Sequence, residues 1–207
     1  MRRLFLVRHG ETAWNVEHRL QGASDIPLND NGRAQARAAA PALATLAPVK
    51  RIVSSDLSRA LETAHILAEA MGAEVVTDAR LRERSYGVWE GLREDVRQVD
   101  HADEHARWAQ GLEPNVEGYE YNATVRDRAL ALIEEITAED GTYVCVSHGS
   151  TTRVAVAALL GLELGSRALG NLGNAQWAEL TQVGDGPWVL RSLNASSLSA
   201  ASSTVDA

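Results

Sequence analysis

The chain holds one cysteine, Cys145, and one lysine, Lys50, in 207 residues. A lone thiol excludes an intrachain disulfide and a cysteine zinc cluster. The lysine deficit excludes a phosphate-loop lysine or a Schiff-base lysine anywhere but position 50, so fixed positive charge has to come from arginine. Long apolar runs are absent too. The N-terminal run Leu4-Phe5-Leu6-Val7 is four residues, too short for a membrane span or a signal peptide. Positive charge is short overall: 20 basic against 28 acidic residues leave −8. That argues against broad binding to nucleic acid or anionic membranes. The expectation is a cytoplasmic protein acting on a small molecule, with any anionic ligand held by a local cluster of arginines. Pairing with a second copy of the chain, as a homodimer, is left open.

Strand patterns fall at residues 3–8, 51–54, 74–77, 143–147, 176–182 and 188–193. Helical spacing falls between most of them. Residues 30–46 follow the cap candidate Asn29, and 57–71 follow Asp56 with Leu57, Ala60, Leu61, Ala64, Leu67, Ala68 and Met71 on one face. Two further helices are predicted at 123–137 and 150–160. This alternation predicts one α/β domain over residues 1–193, a three-layer α/β/α sandwich with a mainly parallel sheet. Gly184-Asp185-Gly186-Pro187 joins the last two strands as a hairpin, so one edge is expected to be antiparallel. Residues 84–122 fit the pattern poorly and are expected to be an insertion over the site. Residues 161–174 are predicted to be an irregular loop, and 194–207 a Ser/Ala-rich tail.

Two strand ends carry the chemistry. Arg8-His9-Gly10-Glu11 follows the first apolar run, and Ser147-His148-Gly149 follows Tyr143-Val144-Cys145-Val146. Open α/β sheets build their sites at such carboxyl ends. An arginine beside an imidazole, with a second His-Gly turn elsewhere, suggests a phosphate pocket. Imidazole is a nucleophile when one ring nitrogen is tied to a carbonyl and the other faces phosphorus. Arginine grips phosphate oxygens through parallel donors, and the helix after Gly149 would add backbone N–H groups.

The residues then bring a family into view. Arg8-His9-Gly10-Glu11-Thr12 with Asn15, Gln21-Gly22, Ser54-Ser55-Asp56-Leu57-Ser58-Arg59-Ala60, Leu81-Arg82-Glu83-Arg84 through Gly87-Val88-Trp89-Glu90-Gly91, and Ser147-His148-Gly149 occur in this order. Together they closely resemble the histidine phosphatase superfamily, in its phosphoglycerate mutase-like branch. The segment from Gly170 to Ser196 is similar, less specifically, to actinobacterial glucosyl-3-phosphoglycerate phosphatases. The resemblance implies hydrolysis of a phosphomonoester through phosphohistidine, with no metal and no cofactor. It implies that His9 is the nucleophile, that Arg8, Arg59 and His148 hold the phosphate with help from Asn15, Gln21 and Gly149, and that Glu83 protonates the leaving oxygen. A phosphoglycerate mutase, a phosphatase of ribazole phosphate or a sugar phosphate, and a phosphate-binding protein without turnover are the alternatives. One stretch departs from the family: Gly118-Tyr119-Glu120-Tyr121 stands where a Gly-Gly-Glu-Ser is usual, which bears on substrate rather than on core chemistry.

Plainer roles compete at several positions. Glu90 and Glu94 lie close enough to Glu83 to be confused with it. His101 and His105 sit four apart, as a metal pair would, but among so many charges a solvated helix face is the expectation. Trp89, Trp108, Tyr119 and Tyr121 would stack on a sugar or pack under the insertion. Arg84, Arg93 and Arg107 would meet a substrate carboxylate or simply face solvent. Cys145 is expected to be an inert core residue.

Overall fold

The computed structural model describes residues 1–45, 48–165 and 168–196. Six strands form one sheet: β1 (Arg2–Arg8), β2 (Val49–Ser54), β3 (Val75–Thr77), β4 (Gly141–Ser147), β5 (Trp177–Gln182) and β6 (Val189–Ala195), in the order β3-β2-β4-β1-β5-β6. β3, β2, β4 and β1 are parallel. β5 runs against both β1 and β6, so the expected hairpin makes the antiparallel edge. The helices are α1 (Ala13–Val16), α2 (Asp30–Ala44), α3 (Ser58–Met71), α4 (Glu94–Asp100), α5 (Ala102–Ala109), α6 (Asn122–Ile136) and α7 (Gly149–Leu159).

Strand alternation builds the layers. Leu4 and Leu6 of β1, with Tyr143 and Cys145 of β4, pack on one face against Ala129, Leu132 and Ile133 of α6 and Val156 of α7. Phe5 and Val7, with Val144 and Val146, pack on the other against Ala39 and Leu43 of α2 and Ala64 and Leu67 of α3. Both faces of the central strands are therefore covered, which is why β1 and β4 are apolar at consecutive positions. Residues 84–121 stand apart with a small cluster of their own: Tyr86, Trp89, Val116 and Tyr119.

Two expectations about ends are corrected. Asp56 does not cap α3. Leu57 occupies the cap position without a side-chain bond, while Asp56 takes both nitrogens of an Arg82 fork at 2.7 and 2.5 Å. A bidentate arginine outcompetes an amide for the same carboxylate. Asn194 and Ala195 belong to β6 rather than to a tail, and Asn194 Oδ1 accepts from the Gly173 amide at 2.7 Å. The expected tail beyond residue 196 lies outside the described residues, as does the end of the predicted helix at residue 46.

The turn after β1 is pressed onto α2. Asn29 caps α2 by accepting from the Gly32 amide at 2.8 Å, and Glu11 accepts from the Asn29 and Asn31 side chains at 2.9 and 3.0 Å. A Cβ on Gly32 would stand 2.1 Å from the Glu11 carbonyl oxygen, backbone that cannot rotate away. Gly32→Ala is expected to destabilise the protein by about 1–3 kcal/mol through overpacking, and to lower activity by moving the turn that carries His9. Thermal melting with a parallel turnover assay checks both; an unchanged melting temperature would contradict it.

Candidate active site

β1 pairs with β4 so that Arg8 lies opposite Ser147. The next residue of each chain segment is therefore a histidine, and the His9 and His148 ring centroids lie 5.1 Å apart. β2 ends one strand further along, and Arg59 enters from the first turn of α3. Pairing alone thus brings together residues separated by up to 140 positions.

These groups stand at one end of a cavity of about 610 Å³. Arg8, His9, Asn15, Gln21, Arg59, Glu83 and Gly149 all line it. His148 does not: it is fully buried behind His9, and its Nε2 meets Ser55 Oγ at 2.9 Å while its Nδ1 has no partner. His9 Nδ1 contacts the Gly10 carbonyl oxygen at 2.6 Å, which only an Nδ1–H can satisfy and which leaves the Nε2 lone pair for chemistry. Burial first, then the charges of Arg59 and Arg8, hold the His9 imidazole well below its ordinary value, so the ring is neutral. His148 is pushed the same way, again chiefly by burial.

The arginines are aimed by carbonyls. Arg59, 0 % exposed, donates to the Ser24 and Gly22 carbonyls at 2.8 Å each. Arg8 donates to the Leu172 carbonyl at 2.6 Å. The Nε of each is buried without a partner. Burial lowers Arg59 to about 10, still a cation near neutrality.

Glu83 occupies the place at α7 where the sequence suggested a phosphate. The Ser150 amide donates to Oε2 at 3.0 Å. The Thr151 and Arg84 amides donate to Oε1 at 3.0 Å each, and the Thr151 hydroxyl divides its one proton between the Arg82 carbonyl at 2.8 Å and Oε1 at 3.1 Å. The helix N-terminus therefore holds a side chain of the protein itself, and Gly149 and Ser150 of that turn line the cavity. Glu90 is elsewhere: it accepts from the Ala23, Ser24 and Tyr86 amides and the Ser24 hydroxyl, organising the loop that offers its carbonyls to Arg59. Glu94 does line the cavity, at the insertion end with His105.

Asn15 combines two roles. Its Oδ1 accepts from the Thr12 amide, as a turn cap does, and from Asn174 Nδ2, while the residue also lines the cavity. Gln21 is buried with an Oε1 that has no partner. The structure gives contacts to residues that the sequence had left without a role. Asn174 Nδ2 bonds the His9 carbonyl at 3.1 Å. Thr63 Oγ1 accepts from the Gly10 amide at 3.1 Å and donates to the Arg59 carbonyl at 2.7 Å, tying the turn after β1 to the first turn of α3. Arg128 clamps the Glu83 segment, bonding the Arg80 and Arg82 carbonyls while pairing with both oxygens of Glu120. The signals for Asn174 were the Gly/Asn richness of its loop and its place in the Gly170–Ser196 segment, neither of which gives it a role.

In the insertion, the outcome is mixed. Arg84, Trp108 and Tyr119 line the cavity; Trp89, Tyr121, Arg93 and Arg107 do not. Trp89 is the anchor of the insertion's own apolar cluster, Tyr121 packs its ring on Tyr119, and Arg93 and Arg107 pair with Asp95 and Glu104. His101 and His105 are not a solvated face: His101 packs edge-on against Trp89 and His105 lines the cavity. Among the described residues, no three His, Cys, Asp or Glu side chains are grouped to hold a metal ion, and no helix is long and apolar enough to cross a membrane.

A buried neutral imidazole between two unpaired guanidiniums, with a carboxyl group across the cavity, is the equipment of a phosphoryl-transfer enzyme. The chain belongs to the histidine phosphatase superfamily, whose branch 1 model matches residues 4–196, and it is a phosphatase with the phosphoglycerate mutase-like α/β fold. It is 41% identical over 192 residues to the glucosyl-3-phosphoglycerate phosphatase of Mycolicibacterium vanbaalenii, covering 87% of this chain and 84% of that protein. It is 39% identical over 172 residues to a probable phosphoglycerate mutase of Enterobacter sp. strain 638, covering 78% and 76%. The solved structure of mycobacterial glucosyl-3-phosphoglycerate phosphatase with VO3 matches with a TM-score of 0.87 at 37% identity, over 95% of this chain and 100% of that one.

The lowered His9 and His148 values set a direction for stability. An unfolded chain protonates these rings below about pH 6.5, while the folded chain resists protonation. Their contribution is therefore fully present above that pH and is lost as the pH falls toward the lowered folded values. Melting temperature should drop between pH 7.5 and 5.5, and His9→Gln should shrink that drop. A variant with the full wild-type pH slope would exclude His9 as a source.

Proposed function

We propose that this chain hydrolyses a small phosphomonoester through a phosphohistidine on His9, with glucosyl-3-phosphoglycerate as the substrate. The observation that carries the mechanism is the His9 Nδ1–H bond to Gly10, which leaves Nε2 as a neutral nucleophile beside Arg8 and Arg59. The N–P bond forms as the ester P–O bond breaks, and Glu83 delivers a proton to the leaving oxygen. Oε2 accepts one amide bond where Oε1 accepts two, so Oε2 is the oxygen with more room to carry that proton. A water then attacks phosphorus, its proton returns to Glu83, and the P–N bond breaks. His148 shares a hydrogen bond with Ser55 Oγ through Nε2 and packs against His9, so it supports the nucleophile's ring from outside the cavity. Arginines supply the positive charge that a metal ion provides in other phosphatases.

The substrate assignment is supported by the relatives named above and by the size of the cavity, which extends well past its phosphate end to Trp108 and Tyr119 in the insertion. The 39% identity to a probable phosphoglycerate mutase favours a second reading, return of the phosphoryl group to a phosphoglycerate.

Incubation with substrate should place acid-labile, base-stable phosphate on a histidine of the wild type and none on folded His9→Ala, which should be inactive. Phosphate released from glucosyl-3-phosphoglycerate should outpace bisphosphate-primed interconversion of 3- and 2-phosphoglycerate; the reverse order would make the chain a mutase. Glu83→Gln should slow sugar and glycerate esters by about 10²–10⁴ but p-nitrophenyl phosphate far less, because an aryl oxide leaves without a proton. Equal losses on both would remove Glu83 from the acid's role and redirect attention to Glu94.

A further inference from the structure

In much of this protein carboxylates meet arginines directly: Glu62 with Arg33, Asp78 with Arg80, Asp56 with Arg82 and Glu120 with Arg128. Arg8, Arg59 and Arg84, which line the cavity, rest on neutral oxygens instead. Arg8 and Arg59 donate to carbonyls, and Arg84 donates to Tyr119 Oη at 2.5 Å and to Asn122 Oδ1. Behind Arg59 there is a further layer. Its two carbonyls belong to Gly22 and Ser24, and Glu90 takes the amides beside them. The Ala23 amide donates to Glu90 Oε1 at 2.9 Å, and the Ser24 amide and hydroxyl donate to Oε2 at 3.0 and 2.6 Å.

The Gly22 carbonyl and the Ala23 N–H belong to one peptide group. A trans peptide is planar, with its C=O and N–H pointing opposite ways. This group is therefore gripped by Arg59 on one side and by Glu90 on the other. It cannot rotate without losing both bonds, and each bond polarises it in the sense that strengthens the other. Gly22 sits at φ +57°, and a Cβ there would stand 2.2 Å from Glu90 Oε1, so the bare α-carbon is what lets the carboxylate close on the loop. The segment that carries Glu83 holds Glu90 from behind: the Tyr86 amide and the Ser85 hydroxyl donate to Oε1 at 3.1 and 3.3 Å. Backbone bonds already join the two segments without Glu90, from the Gly91 amide to the Leu20 carbonyl at 2.8 Å and from the Leu20 amide to the Leu92 carbonyl at 3.2 Å. What the carboxylate adds is the orientation of the peptide.

We propose that Glu90 is a positioning residue for Arg59: through the Gly22–Ala23 peptide it keeps the guanidinium aimed at the phosphoryl group without touching it. This rests on the reading of Arg59 as a phosphate ligand and adds the group that aims it. Glu90→Gln keeps the shape of the side chain. Whichever way the new amide turns, its NH2 faces backbone N–H groups, those of Ala23 and Tyr86 on one side and of Ser24 on the other. The probe is orthovanadate, read as inhibition of p-nitrophenyl phosphate turnover. Its inhibition constant should rise roughly 10- to 100-fold in Glu90→Gln, the range for a hydrogen-bonded charge. Ser24→Ala removes only the hydroxyl bond to Oε2 and leaves the Ser24 carbonyl in place, so it should raise the constant by a smaller factor. In an Arg59→Ala background, Glu90→Gln should add nothing further.

An inhibition constant is a property of the folded molecules. A Glu90 that merely braced its loop would lower the melting temperature and the active fraction and leave that constant unchanged. A folded Glu90→Gln with the wild-type constant therefore overturns the proposal, and so does an effect of equal size with and without Arg59. If Glu90→Gln does not fold, Ser24→Ala decides alone, and the wild-type constant there overturns the proposal. A wild type indifferent to vanadate sinks the phosphate-pocket reading beneath it, whereas equal inhibition of the wild type and both folded variants sinks the role of Glu90 only.

Discussion

One register governs the carboxyl end of the sheet: β1 lies against β4 with Arg8 opposite Ser147. A slip of one residue would turn every β1 side chain to the wrong face, sending Leu4 and Leu6 toward α2 and α3 and Phe5 and Val7 toward α6 and α7. The two apolar layers therefore hold the register, and the register sets the spacing of the two imidazoles. The placement of the two imidazoles is in this sense a by-product of core packing. Phe5, Val144 and their neighbours never touch a ligand, yet they decide where His9 stands.

The second organising fact is how charge is distributed. The chain is acidic overall, yet the cavity concentrates buried guanidiniums whose partners are carbonyls, a phenol and an amide. Each such partner orients an arginine without neutralising it. The site keeps its field for an incoming anion, and the same field, added to burial, holds His9 in its neutral form. Glu83 also lines the cavity, and it is held chiefly by backbone amides rather than by a cation.

Much of this was legible in the sequence. All six strands announce themselves as apolar or β-branched runs, and α2 and α3 by spacing and by the Asn29 cap. His9, Arg8, Arg59 and Glu83 sit in ordered motifs, and the structure brings them to one cavity. What stayed hidden depends on distance and competition. Nothing local says that Asp56 would turn to Arg82 instead of its own helix, or that the first amides of α7 would serve Glu83. The removal of His148 from the cavity wall follows from the packing of two rings, which no spacing encodes. In the insertion, aromatic content signalled a wall but not its inner face: Trp108 and Tyr119 line the cavity, while Trp89 and Tyr121 support it from behind.

The loop after α7 bears on how far this domain can be divided. Every side chain proposed to take part in bond making lies before residue 150. Yet Leu172 offers the carbonyl that aims Arg8, Asn174 tethers the His9 backbone, and Gln176 and Asn194 both accept from Gly173. The C-terminal quarter thus acts as a brace across the mouth of β1. A fragment carrying the complete reactive inventory would be a kit without its jig, and grafting the motifs onto another sheet would require this return loop to be carried along with them.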